Sequence, residues 1–275
     1  DSPPPPTANA LTEEATRVVE LLLQSFPGLP DSLELKARLH DWLGNSEEAT
    51  ATWKRCLELD PGYVYAWVGL AGTAAKKGQH REAAELARKA MLLDPANFQA
   101  RAILAEALLQ QGRPAEAVPV LEPFLKTDPR SQGYYLLGQA YLQIQQYQKA
   151  KESYEAAVRK YPDYAEAYHG LSLACGRLGE RDQAKQAMDK FQEFTAPQQF
   201  AQRVRGLAKT DLEVMYGGAA TLYTDAGRLY FVRGKPREAE AVWHRAAALA
   251  PKNVERRQSL AWLCRQQGRT REAIG

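Results

Sequence analysis

Prolines mark this chain at a nearly constant interval. Pro27, Pro61, Pro95 and Pro129 are 34 residues apart, and Pro162 and Pro197 follow after 33 and 35. The last gap, to Pro251, is 54 residues, one period of 34 plus 20. A fixed interval of this size requires a stack of small repeats, each a unit that cannot bury its apolar face alone. Other residues keep the same interval. Alanine stands twelve before the proline at Ala15, Ala49, Ala83, Ala117, Ala150 and Ala239, and at Ala184 if the fifth repeat carries one extra residue. Glycine stands seventeen before it at Gly44, Gly78, Gly112 and Gly234, with Gly179 in the shifted register and Gly268 in the last, incomplete unit. Gln145 is the exception. Twenty-four before the proline the residue is small: Ala37, Ala71, Ala105, Gly138 and Gly227, with Ser172 and Ala261 in register.

An antiparallel helix pair accounts for every one of these positions. Apolar residues recur at helical spacing ahead of each glycine, as in Trp67, Leu70, Ala71 and Ala74. The glycine can take the left-handed conformation that closes a first helix. A second helix follows, with alanine where backbones approach closely. Proline stops it, because it lacks an N–H and disfavours helix at the residue before it. Asp60, Asp94 and Asp128 precede such prolines, where a short acceptor can bond the opening turn. The pattern predicts an all-α chain of seven units, the first and last incomplete, and no sheet.

These residues carry a resemblance to tetratricopeptide repeats. The fourth unit reads Tyr134, Leu137, Gly138, Tyr141, Ala150, Tyr154, Pro162; the sixth reads Tyr223, Ala226, Gly227, Tyr230, Ala239, Trp243, Pro251. The second reads Trp67, Leu70, Ala71, Ala74, Ala83, Ala87, Pro95. The resemblance spans residues 11–275 apart from an insertion. It implies a right-handed α-solenoid of stacked antiparallel helix pairs, one elongated body stabilised by neighbour interfaces. The expected organisation is a Pro-rich linker at 1–10, repeats at 11–197, a helical insertion at 198–219 and repeats again at 220–275. Within the insertion, Gln199 to Leu207 reads as a short helix and Gly217-Gly218 as a break.

The chain starts Asp1-Ser2-Pro3-Pro4-Pro5-Pro6, without methionine, and stops at Gly275 inside a helical pattern, so the expectation is a fragment of a longer protein. No stretch is long and apolar enough to span a membrane. The compartment stays open between cytoplasm and periplasm. Residues 201–275 hold 14 Lys/Arg against 7 Asp/Glu, net +7, whereas the whole chain is +3. Arg256, Arg257, Arg265, Arg269 and Arg271 crowd that end. A contact there with nucleic acid or lipid headgroups is one reading; a solvated end of the stack is the preferred one.

Chemistry-bearing clusters are missing from the text of the chain. Cys56, Cys175 and Cys264 fall at inward repeat positions and read as buried thiols. His40, His80, His169 and His244 lie in four different repeats, without metal-ligand spacing. No phosphate loop follows Gly217-Gly218. No cofactor and no catalytic residue are expected.

The resemblance implies a concave face lined by the first helix of each pair. The residues two before, and one and five after, the aromatic that opens the pattern point there. They are Tyr65, Val68 and Gly72; Gln99, Ala102 and Glu106; Gln132, Tyr135 and Gln139; Glu166, His169 and Leu173; and Thr221, Thr224 and Arg228. Leu109, Leu142 and Phe231 lie one step deeper. The candidate peptide-binding set is Tyr65, Val68, Gln99, Glu106, Tyr135, Gln139, Leu142, His169, Leu173, Arg228 and Phe231. Its polar and aromatic mixture suits an extended or helical peptide. Relatives that grip the C-terminal carboxylate of chaperones use Lys and Asn on this face. Here those places hold Glu34 and Arg38, Val68 and Gly72, Gln99 and Ala102, so chaperone tails are not expected partners. The leading reading is a non-catalytic scaffold for a protein or peptide, in assembly of an envelope or secretion complex. The alternative is the repeat arm of a larger enzyme such as a glycosyltransferase.

Overall fold

The computed structural model describes the backbone of residues 7–205 and 208–250, with side chains for 7–195 and 214–250. The described residues form thirteen helices: α1 (Ala8–Ser25), α2 (Pro30–Trp42), α3 (Ser46–Leu59), α4 (Val64–Lys76), α5 (His80–Leu93), α6 (Phe98–Gln110), α7 (Pro114–Leu125), α8 (Ser131–Gln143), α9 (Tyr147–Lys160), α10 (Ala165–Leu178), α11 (Arg181–Arg205), α12 (Ala208–Val232) and α13 (Pro236–Leu249). No strand occurs among them. None of these helices is long and apolar enough to cross a membrane. The fold is all-α and built from stacked antiparallel helix pairs.

The periodic residues do the work their chemistry dictates. Gly44, Gly78, Gly112, Gly179 and Gly234 all have φ between +69° and +82°. At each such end, the N–H one residue on bonds back across the last turn: Asn45 to His40, Gln79 to Ala74, Arg113 to Leu108, Glu180 to Cys175 and Lys235 to Tyr230, at 2.8–3.0 Å. The repeat lacking glycine closes identically, through Gln146 to Tyr141 at 2.9 Å, and so forces Gln145 to φ 63°. A side chain there costs about 1 kcal/mol or more relative to glycine. Gln145→Gly is therefore expected to stabilise the protein by ~1 kcal/mol, read as a higher urea midpoint; an unchanged or lower midpoint would contradict the strain. At the second-helix ends, the N–H of Gly62 bonds Asp60 Oδ1 at 2.8 Å and that of Ala96 bonds Asp94 Oδ1 at 3.0 Å.

Two expectations about the insertion are corrected. Pro197 does not stop a helix: α11 runs through it to Arg205. The stopping prolines after α3 and α5 follow an aspartate that bonds the turn, whereas Pro197 sits between Ala196 and Gln198 among helix formers. Nor does Gly217-Gly218 break the chain, since α12 continues through both. A Cβ on Gly218 would lie 2.4 Å from Trp42 Nε1, so that glycine allows α2 to approach α12 closely. Both α11 and α12 are 25 residues long, against 13 or 14 for α8, α9 and α10.

The helices gather into two compact units. One holds residues 64–206 and is made of the pairs α4/α5, α6/α7, α8/α9 and α10/α11. Its core joins Ala83, Ala87, Leu104, Leu108, Leu121, Leu137, Tyr154 and Ala167. The other unites both ends of the chain, α1–α3 with α12 and α13. The reason lies in α1. Helix α1 carries Ala15 at the alanine position and an apolar face of Leu11, Ala15, Val19 and Leu22 that needs cover. Helix α12 supplies it with Ala219, Tyr223, Ala226 and Tyr230 while keeping its own partner α13. The guanidinium of Arg245 on α13 donates from Nε and Nη2 to the two carboxylate oxygens of Glu14, at 2.6 and 2.7 Å, and Arg38 reaches Asp225 at 2.8 Å. The Phe26 ring adds a contact with Tyr230 at 5.9 Å.

Candidate functional site

In the unit at 64–206, the first helices α4, α6, α8 and α10 pack in series, each touching the next. Two glycines set how close they come. A Cβ on Gly138 would lie 2.7 Å from the Tyr154 ring, and one on Gly170 would lie 2.4 Å from it. Helices α8 and α10 are thus both drawn onto a single tyrosine of α9, which is buried. Over this floor Tyr135 of α8 sits 6.1 Å from the Tyr154 ring and 5.0 Å from that of Tyr164. Tyr164, the N-cap of α10, also meets Tyr161 edge-on at 6.0 Å.

The tyrosines border a cavity of about 330 Å³ between α6, α8 and the start of α10. Glu106, Leu109 and Gln110 line it from α6; Gln132, Tyr135, Leu136, Gln139 and Gln143 from α8; Tyr164 closes it. Four carboxamides, two phenols and a carboxylate face one space. The Gln139 carboxamide N–H donates to the Tyr135 hydroxyl at 2.8 Å. Burial, then Glu166 and Glu106, push the Tyr135 hydroxyl above the usual phenol range. Burial, then Tyr135 and the same two carboxylates, push Tyr164 up as well. Both stay protonated donors at neutral pH.

The candidate residues are distributed as follows. Glu106, Tyr135 and Gln139 line the cavity. Gln99 is exposed on α6, Tyr65 is exposed at the start of α4, and Leu173 is exposed on α10. Val68 and Leu142 are half-buried against the core. His169 is exposed, and its ring lies 5.1 Å from Phe191 of α11. Arg228 and Phe231 belong to the other unit, where Arg228 is 3.4 Å from Asp225 and Phe231 stacks on Trp243 at 6.0 Å. Position counting missed Tyr164, Gln110, Leu136 and Gln143. Gln110 and Gln143 stand one helical turn beyond Glu106 and Gln139, so extending the count by four would have found them. Tyr164 precedes its helix and had no such signal.

Arg38, at a place where chaperone-binding relatives carry a clamp residue, is held by Asp225 and by Glu34 at 3.3 Å. Burial pushes the Cys56 thiol up to about 12 and raises Cys175, so neither is a thiolate nucleophile at neutral pH. No group of three His, Cys, Asp or Glu side chains poised for a metal occurs among the described residues. Cys264 and the arginines Arg256, Arg257, Arg265, Arg269 and Arg271 lie outside the described residues.

Family models described as tetratricopeptide repeat match residues 74–140, 131–164, 165–195, and 35–91 together with 224–275. No curated protein matches the chain significantly. Among solved structures, YrrB, described as a TPR protein with an unusual peptide-binding site, superposes with a TM-score of 0.53 at 18% identity, over 69% of this chain and 98% of its own. MamA of Desulfovibrio magneticus RS-1, residues 41 to the end, gives 0.55 at 24% identity over 62% of this chain and 97% of its own. The Cut9–Hcn1 assembly of the APC/C gives 0.60 at 16% identity, over 92% of this chain and 46% of that one. At these identities the likeness is one of fold.

Proposed function

The chain belongs to the tetratricopeptide-repeat family, and from that premise we propose that it is a non-catalytic scaffold that binds a peptide segment of a partner protein along α4, α6, α8 and α10. The observation that carries this is the cavity beside Tyr135 and Tyr164. Two rigid phenols offer contact area at low entropic cost. The carboxamides of Gln132, Gln139 and Gln143 match the donors and acceptors of a peptide backbone. The exposed flanking side chains Tyr65, Gln99 and Leu173 extend the surface beyond the reach of a small molecule. Holding such a segment for assembly of a larger complex requires no chemistry, in keeping with the buried Cys56 and Cys175 thiols and the dispersed histidines among the described residues.

The test is binding of peptides selected on the intact protein from a random library. Tyr135→Ala with Gln139→Ala is expected to weaken binding about tenfold or more, since a hot-spot aromatic costs 2 kcal/mol or so. Arg88→Ala with Arg159→Ala, exposed on the second helices α5 and α9, is expected to leave it unchanged. The reverse pattern would refute the face. Hydrolase or transferase turnover by the pure protein, abolished by a point substitution within it, would refute the non-catalytic reading.

A further inference from the structure

We propose that the cavity bordered by Tyr135 and Tyr164 receives the guanidinium of an arginine carried by the bound peptide. This rests on the reading that the face binds a peptide, and it names the chemistry of that peptide. Four observations converge. The two phenol rings pack on one another, 5.0 Å apart at 39°, and both border the cavity, so a planar cation entering it meets aromatic surface on which to stack. Glu106 lines the cavity, and Glu166 stands close enough to act electrostatically on both tyrosines. Neither carboxylate has an ion-pair or hydrogen-bond partner among the described residues. Among the described residues, no Lys, Arg or His lines the cavity.

The other side-chain classes fit poorly. An apolar side chain would strip water from the carboxamides of Gln110, Gln132, Gln139 and Gln143 and give them no partner. A carboxylate would face Glu106, within the field of Glu166, and no cation among the described lining residues would receive it. A lysine would meet the charge but not the geometry: its ammonium is a strongly hydrated point charge, whereas guanidinium is flat, more weakly hydrated and presents five donors in a fork. Those donors are met by a carboxylate and carboxamide oxygens, all acceptors, around the two ring faces. Both tyrosine hydroxyls stay neutral at physiological pH, so the walls keep their negative ring faces and add no repulsion.

The experiment selects random dodecapeptides against the intact protein and measures the enriched peptides by fluorescence polarisation. Three substitutions probe them: Glu106→Gln with Glu166→Gln on the protein, Tyr135→Ala with Gln139→Ala on the protein, and citrulline for arginine in the peptide. The expected result is a shared arginine. Its affinity falls about fivefold or more in the double Gln variant, as two partly exposed ion pairs allow, and falls with rising salt. Citrulline, of the same shape and no charge, should cause a similar loss and no further loss in the double Gln variant. Peptides without a shared arginine, or insensitive to the double Gln variant yet weakened by Tyr135→Ala with Gln139→Ala, would overturn this inference and leave the peptide-binding reading standing. Peptides insensitive to both double variants, or no enrichment at all, would overturn both.

Discussion

Gly138→Leu is expected to destabilise the protein by about 3 kcal/mol, at the upper end of what overpacking costs. The first atom of any side chain at this position would lie 2.7, 2.8 and 3.0 Å from three atoms of the Tyr154 ring. Gly170 of α10 crowds the same tyrosine, since a Cβ there would lie 2.4 and 2.5 Å from two ring atoms and 2.8 Å from the hydroxyl, so a second helix leaves the ring little room to yield. The added side chain must therefore separate α8 from α9 or expel the tyrosine from the core. Urea denaturation measures the loss. Gly176→Ala supplies the control, since a Cβ there meets nothing within 4 Å, and it is expected to be neutral or slightly stabilising. A loss below ~0.5 kcal/mol for Gly138→Leu would mean that α8 and α9 are not packed as described. Because Tyr135 rests over Tyr154, the same substitution should also disturb the cavity.

Trp243→Ala is expected to cost about 3–5 kcal/mol, the range for removing a large buried aromatic. Trp243 is 3% exposed. Its indole N–H donates to the carbonyl of Thr224 at 2.9 Å, and its ring occupies the space that a Cβ on Gly227 would claim. It thereby pins α13 to α12, and α12 is what covers α1. Hydrogen exchange should report this at a distance in sequence. The amides of Val19 and Leu22 in α1 are expected to lose protection in the variant, more than 200 residues from the substitution. Unchanged protection in α1 would show that α12 is not its partner.

Much of this architecture was legible in the periodic residues, and the reasons for the rest are physical. Glycine, alanine and proline fixed the register because each answers a backbone need: a left-handed turn, a close approach, a missing donor. Gln145 shows that the turn is imposed by the pair, since it closes with the same bond at the same sign of φ. Pro197 misled because a proline costs a helix a hydrogen bond and some room without necessarily ending it, as α7 also shows by running through Pro119 and Pro123. The union of α1 with α12 had no local signal, because it joins the apolar face of α1 to a helix far along the chain. Arg228 and Phe231 sit in a different unit from Tyr135, which counting positions from the opening aromatic does not reveal. Glu106 and Gln139 occupy equivalent positions on adjacent first helices, with Tyr135 one turn before Gln139, and helices packed in series bring such positions together. Tyr164 lies in a turn, where helical counting has no reach.

The most direct test of the peptide-binding account is a chemical-shift map with tyrosine rings and glutamine carboxamides labelled, recorded while an enriched dodecapeptide is titrated in. The account predicts saturable shifts at Tyr135 and Tyr164 and at the carboxamides of Gln132, Gln139 and Gln143, with the amides of α5 and α9 unmoved. Saturable shifts confined to the second helices, with the Tyr135 and Tyr164 rings silent, would contradict it.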